Sequence, residues 1–324
     1  MTVIRPFRPE DEEAFLRLHN RAFGSDWSRA RWRWRFLSSP LRRTDLLGAF
    51  QADGRCVASY GGVALPFSLD GSRTIAIQHS DVAVDPDLRR GLGGSRLLVA
   101  ISREYFEHCG REAALMWGFP QPPLLRVLTR FAQVEVLRDV VFLVKPVADA
   151  PPPPAAEVVV ERLDRCSPEI DAFWHSCSSQ HATAVHRNAD YLTWRFLQHP
   201  DIDYQLLAAR DVGSRALRGL AVTRTGGWDP TLLSLCEWLV PVDDDLAERA
   251  LIAHAVLQAR SRGLDYVAAW FPHSMTWFHR FQAEYGFFAH GLTYQQVART
   301  WVADYPRPWL HEHWYQTMGD IDFF

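Results

Sequence analysis

The sequence predicts an α/β chain of the α+β kind, built as two domains in tandem, each a mixed, largely antiparallel sheet flanked by helices. Three observations carry this. Asp81-Val82-Ala83-Val84-Asp85-Pro86 alternates like a strand, then passes Arg89, Arg90, Gly91, Leu92, Gly93, Gly94 and Ser95 into an apolar-periodic helix. Four consecutive prolines, Pro151 to Pro154, interrupt the chain near its middle. Trp34-Arg35-Phe36-Leu37-Ser38-Ser39-Pro40 recurs at an offset of 160 as Trp194-Arg195-Phe196-Leu197-Gln198-His199-Pro200.

The elements follow in order. Val3 to Arg5 is a short strand. Asp11, Glu12 and Glu13 then put negative charge on a first helical turn that continues through Phe15, Leu18 and Phe23. A second helix fits Ser28 to Leu37. Leu46 to Phe50, Asp53-Gly54 and Val57 to Tyr60 read as a hairpin, and Asp70-Gly71 turns the chain into a strand from Thr74 to Val84. After the glycine-rich helix come a strand at Ala113 to Trp117, a helix at Pro122 to Phe131 and a β-branched strand at Val134 to Val144.

Residues 147–157 read as a semi-rigid proline-rich linker, with an extended loop inside one domain as the alternative. The expected domains are 1–146, 158–300 and an aromatic tail over 301–324. The second half repeats the element order of the first, and Trp270-Phe271-Pro272 answers Trp117-Gly118-Phe119-Pro120. Its glycine-rich loop is absent: Asp243, Asp244 and Asp245 open the corresponding helix, which suits N-capping and repels phosphate.

Composition narrows the function. Among 324 residues, 35 Lys and Arg face 38 Asp and Glu, a net charge of −3 that argues against nucleic-acid and membrane-surface partners. The five cysteines are scattered without a C-x-x-C pair, as expected of reduced thiols. With no apolar signal core and no long apolar run, a cytoplasmic location is expected.

The strand, loop and helix at 81–106 have the chemistry of a phosphate cradle. Glycines before a helix let backbone N–H groups approach an anion, the helix N-terminus adds positive potential, and Arg89 and Arg90 add full charges. Dinucleotide enzymes share such a turn, but they place it early in a βαβ unit with an acidic residue about 20 positions on. Here antiparallel-looking strands precede it.

These residues, with Asp85-Pro86 and Leu97-Leu98, resemble the GNAT superfamily of acyl-CoA-dependent N-acyltransferases. The family's Arg/Gln-x-x-Gly-x-Gly/Ala pattern finds Leu88 three places before Gly91, which leaves open which arginine meets the pyrophosphate. The resemblance implies that Val82 and Val84 pair with the pantetheine arm like an added strand. It also implies that Arg89, Arg90, Gly91, Leu92, Gly93, Gly94 and Ser95 hold the pyrophosphate of acetyl-CoA or another acyl-CoA. Where the family carries a tyrosine general acid, the first half has Leu128, and the second half has a compressed Tyr285-Gly286-Phe287.

The expected acceptor is a small-molecule amine. On a strand His79, Asp81 and Ala83 share one face, so Asp81 and then His79 are the catalytic candidates, with a structural His–Asp hydrogen bond as the alternative. Trp117 and Phe119 are expected to wall the substrate pocket, with core packing the alternative. No metal site is expected: His311 and His313, read as alternate residues of a strand, lack a third ligand. A non-catalytic acyl-CoA-binding protein is the alternative function. The oligomeric state is not legible.

Overall fold

The computed structural model describes residues 2–89, 92–109, 112–153, 155–302 and 304–321. β1 (Val3–Pro6) leads into α1 (Glu12–Phe23), which Gly24 ends in the left-handed conformation, and into α2 (Arg29–Leu37), capped where Ser28 Oγ accepts from Arg31 N. β2 (Thr44–Phe50) folds back on β3 (Cys56–Leu69) around Asp53-Gly54, pairing Leu47 with Tyr60 and Ala49 with Ala58. Asp70 and Gly71, at φ +51° and +77°, make the tight turn into β4 (Ser72–Val84).

α3 (Leu92–Cys109), β5 (Leu115–Gly118), α4 (Pro122–Phe131) and β6 (Glu135–Pro146) complete the first half. The second half contains β7 (Val158–Leu163), α5 (Pro168–Cys177), β8 (Ala184–Val185) and α6 (Ala189–Leu192), which continues as a π-helical turn over Thr193–Leu197. β9 (Gln205–Asp211), β10 (Leu217–Thr225), β11 (Leu232–Leu239), α7 (Asp245–Ser261), β12 (Tyr266–Ala269), α8 (Thr276–Tyr285), β13 (Phe288–Thr300) and α9 (Arg307–His313) follow.

Two compact units result, and they are not the contiguous stretches expected. One comprises Met1–Phe67, Thr74–Arg138 and Gln295–Arg307; the other comprises Ser68–Arg73, Asp139–Tyr294 and Pro308–Phe324. The expected boundaries at 146 and 300 therefore fail for a specific reason: the halves exchange their last strands. In the first unit the order is β1-β2-β3-β4-β5-β13, with β4 and β5 parallel and β13 antiparallel to β5 through Val297↔Gly118 to Thr300↔Leu115. In the second it is β7-β9-β10-β11-β12-β6, with β11 and β12 parallel and β6 antiparallel to β12. The orders match element for element.

The first residues of the expected semi-rigid linker are held by hydrogen bonds. Val147 N donates to the Asp265 carbonyl, and Arg260 donates to the carbonyls of Val147 and Asp149 at 2.8 Å each. His311 and His313 lie on α9, not on a strand, and among the described residues no group of three or more His, Cys, Asp or Glu could hold a metal. Among those residues, too, no helix is long and apolar enough to cross a membrane.

Alternating strand residues of the first unit build two cores. Leu46, Phe50 and Ala83 meet Phe15, Leu18, Trp32 and Phe36 of α1 and α2. Leu47, Tyr60, Ile77, Met116 and Val297 meet Ile101, Tyr105, Phe106 and Leu128 of α3 and α4. Each large side chain so buried stabilises the unit by about 1.5–3 kcal/mol. A chain limited to residues 1–146 lacks β13, leaving β5 with an open edge and Met116 without its cover. Such a fragment is expected to show no cooperative thermal unfolding by circular dichroism, whereas the full chain does.

Candidate active site

The paired register of β4 and β5 runs from Ala76↔Leu115 to Gln78↔Trp117. β5 ends at Gly118, while β4 runs on to Val84 without it. Asp81 has φ +53°, a left-handed conformation that costs a non-glycine residue about 1–3 kcal/mol and bends the strand. It also breaks the alternation that would have set His79 beside Asp81. Asp81 instead faces α1 and α2: His19 Nε2 donates to Asp81 Oδ1 at 3.3 Å, and Arg35 Nε lies 3.8 Å from Oδ2. Burial pushes the Asp81 carboxyl up, but the His19 hydrogen bond and the Arg35 charge outweigh it and hold the group below the ordinary carboxylate range.

His79 turns the other way, 6.0 Å from the Tyr60 ring and against Gly118, where an added Cβ would come within 2.2 Å of its Nε2. Burial pulls its pKa down to about 4, against a smaller opposing pull from Asp81, so the imidazole is neutral near pH 7. Among the described residues neither ring nitrogen has a hydrogen-bond partner.

The second feature is a groove of about 380 Å³. It brings together Val82, Val84, Arg89, Gly94 and Ser95, five of the residues expected to hold the cofactor, and adds Leu98 with Gln121, Pro123 and Leu124 from the start of α4. Arg90 and Gly91 lie outside the described residues, and Leu92 and Gly93 open α3. Arg89 braces the loop: its Nε donates to the Val84 carbonyl at 2.9 Å and its Nη2 to the Ala22 carbonyl at 2.6 Å. Asp85 holds the turn from the other side, its side chain accepting from Asp87 N. Gly94 is required there because a Cβ would meet the Leu88 carbonyl oxygen at 2.3 Å, while a Cβ on Gly93 would meet nothing within 4 Å.

Trp117 is fully buried and Phe119 nearly so, which agrees with core packing for Trp117. The start of α7 is built differently from that of α3. Asp244 accepts from Ala247 N and pairs with Arg218, while Asp245 and Glu248 hold Arg280. Its N-terminal amides are answered by the chain's own carboxylates.

Sequence reasoning did not single out His19 or Arg35. The signal for Arg35 was present: an arginine set among Trp34, Phe36 and Leu37, twice in the chain, marks a buried cation, and both Arg35 and Arg195 are 2% exposed. The α4 residues of the groove carry no motif.

A splayed parallel strand pair beside a glycine-led helix, inside a largely antiparallel sheet, defines the fold of the GNAT N-acyltransferases. Residues 3–127 match the model of the acetyltransferase (GNAT) domain family. A probable N-acyltransferase from Enterococcus faecalis shares the fold at 15% identity, covering 93% of this chain and 73% of that one with a TM-score of 0.70. A GCN5-related N-acetyltransferase from Kribbella flavida does so at 16% identity, 93% and 71% coverage and a TM-score of 0.65. So does Saccharomyces cerevisiae N-myristoyltransferase, solved with bound myristoyl-CoA, at 12% identity, 92% and 79% coverage and a TM-score of 0.61. No curated protein matches the sequence.

Two outcomes test this geometry. Gly94→Ala is expected to lower stability by about 1–3 kcal/mol through overpacking, whereas Gly93→Ala is neutral or stabilising by up to about 1 kcal/mol, both read by thermal denaturation. Because the Asp81 carboxyl is depressed in the folded state, its stabilising contribution is present above the unfolded pKa of about 3.9 and lost as pH falls through the lower folded value. Asp81→Asn should therefore destabilise the protein at pH 7, and the cost should shrink only below about pH 4 in denaturant titrations.

Proposed function

We propose that this chain is an acyl-CoA-dependent N-acyltransferase, most simply an acetyltransferase, whose first unit binds the acyl-CoA and acylates a small-molecule amine such as an amino sugar or metabolite amine. The second half is read as a degenerate copy of the same domain. The observation that carries the reading is the groove at the β4–α3 junction, where Val82, Val84, Arg89, Gly94 and Ser95 converge beside strands that part beyond Gln78 and Trp117.

The residues fit the cofactor. The β4 backbone past Gln78 lies beyond the paired register with β5, and offers amides and carbonyls to a pantetheine arm as a partner strand would. The Gly94 cradle and the start of α3 present backbone N–H groups to a pyrophosphate, with Arg89 fixing the loop. The bound acyl-CoA supplies an activated thioester; the chain's residues manage the amine. Asp81, ionised and with 17% of its side chain exposed, draws the ammonium form to the splay. The amine's proton passes to water, and neutral His79, buried away from Asp81, takes no part in this reading.

Non-catalytic acyl-CoA binding is the second reading, favoured by Leu128, which is fully buried in the α4 core and supplies no acid. Calorimetry and a thiol-release assay separate the two. Ser95→Trp fills the groove from an exposed position and is expected to weaken acetyl-CoA binding at least tenfold. Asp81→Asn should leave that affinity unchanged and lower kcat/KM for the amine by about tenfold or more, the loss of one charge-assisted contact. Absence of acetyl-CoA binding by the unaltered protein overturns the proposal; binding without release of thiol across an amine panel leaves the second reading.

A further inference from the structure

The second unit contains a stretch that behaves less like its fabric than like something bound to it. Every residue from Trp314 to Ile321 is buried, yet the segment has little regular structure beyond a 3₁₀ turn at Met318–Asp320. Its strongest contacts are made with charged side chains. Arg187, fully buried, holds Asp320 and lies 3.3 Å from Glu237. Thr317 Oγ1 donates to Glu237 Oε1 at 3.1 Å, and Arg195 donates to the carbonyls of Gly319 and Ile321 at 3.3 Å each. Gly319 sits so close to β11 that a Cβ there would meet the Cys236 carbonyl oxygen at 2.8 Å.

The receiving residues are the counterparts of those that surround Asp81. Arg195 and Phe196 repeat Arg35 and Phe36, and Glu237 precedes the proline at 241 on β11 much as Asp81 precedes the proline at 86 on β4. In the first unit the acid keeps 17% of its side chain exposed; in the second it keeps 1%. Around the ion pairs the fit is poorer. Among the described residues, both nitrogens of His181, stacked 3.9 Å from Tyr315, lack a hydrogen-bond partner, as do Trp277 Nε1 and the Gln316 amide. A cleft shaped for another occupant and later filled by a tethered one would show this pattern.

We propose that Trp314–Ile321 is a tethered ligand of the second unit, filling the cleft between β11 and the helix carrying Arg195 that corresponds to the acceptor cleft beside Asp81. The second unit accordingly takes no acyl acceptor of its own. This rests on the reading of the halves as copies of one acyltransferase domain, and it assigns Arg187, Glu237 and Asp320 the role of a latch.

The test keeps the full chain and introduces a protease site at the exposed turn around Asp304 to Pro306. After folding and cleavage, the fragment from Arg307 onward is expected to co-elute with the body on size exclusion and to leave in mild denaturant while the body stays folded by circular dichroism. A synthetic peptide spanning residues 307–321 should then rebind. The same peptide with Asp320→Ala should bind at least about a hundredfold more weakly, since it leaves Arg187 buried with one partner fewer. Unfolding of the body when the fragment leaves, or equal binding of the two peptides, overturns the proposal. Acetyl-CoA calorimetry on uncut protein reports separately on the parent reading: no binding there defeats the acyltransferase assignment, whereas lost peptide discrimination with acetyl-CoA binding intact defeats only the latch.

Discussion

Parallel pairing between β4 and β5 ends at Gln78 and Trp117, and two local features keep the strands apart beyond it. Gly118 leaves room for the His79 ring, and Asp81 bends β4 through a left-handed φ. The strain at Asp81 is of order 1–3 kcal/mol; a hydrogen bond to a charged group is worth about 1.5–3 kcal/mol, so the bond from His19, with the Arg35 charge behind it, offsets the bend. The same bend turns the carboxylate toward α1 and α2 and separates it from His79. The separate surroundings of Asp81 and His79 thus follow from these two features together.

The units share a plan and diverge at the helix that follows the bent strand. α3 opens on glycines, one of which admits the Leu88 carbonyl at a distance no side chain tolerates. α7 opens on aspartates that cap it and anchor Arg218 and Arg280; burial there raises the Glu248 carboxyl to about 7. An anion seated at α7 would face these carboxylates. The proposed cofactor groove is thus not repeated by the residues that open α7, although the first half of the chain supplies β6 to the second unit's sheet and the second half supplies β13 to the first unit's.

Much of this was legible in the residues. Asp53-Gly54 and Asp70-Gly71 announced their hairpins because such pairs tolerate left-handed backbone, and the alternation before Pro86 announced β4. The tryptophan and arginine repeat announced the second copy's helix. Partner choice between strands was not legible: Val134 to Val144 reads as a β-branched strand wherever it pairs, and nothing in its pattern distinguishes β12 from a neighbour in its own half. Nor was the turn at Asp81 visible, since no glycine or asparagine marks it. Assuming a regular strand there put His79 and Asp81 on one face, where the structure gives them opposite surroundings.

The pairing of β13 with β5 joins Thr300 to Leu115 and Val297 to Gly118, across about half the chain. Contacts of such sequence separation form late, because the intervening chain must lose its freedom before they return anything. During synthesis from the N-terminus, α1 to α4 emerge well before the strand that covers β5. The sheet that carries the β4–α3 groove is therefore closed only once β13 has been made, long after the strand β5 that it covers.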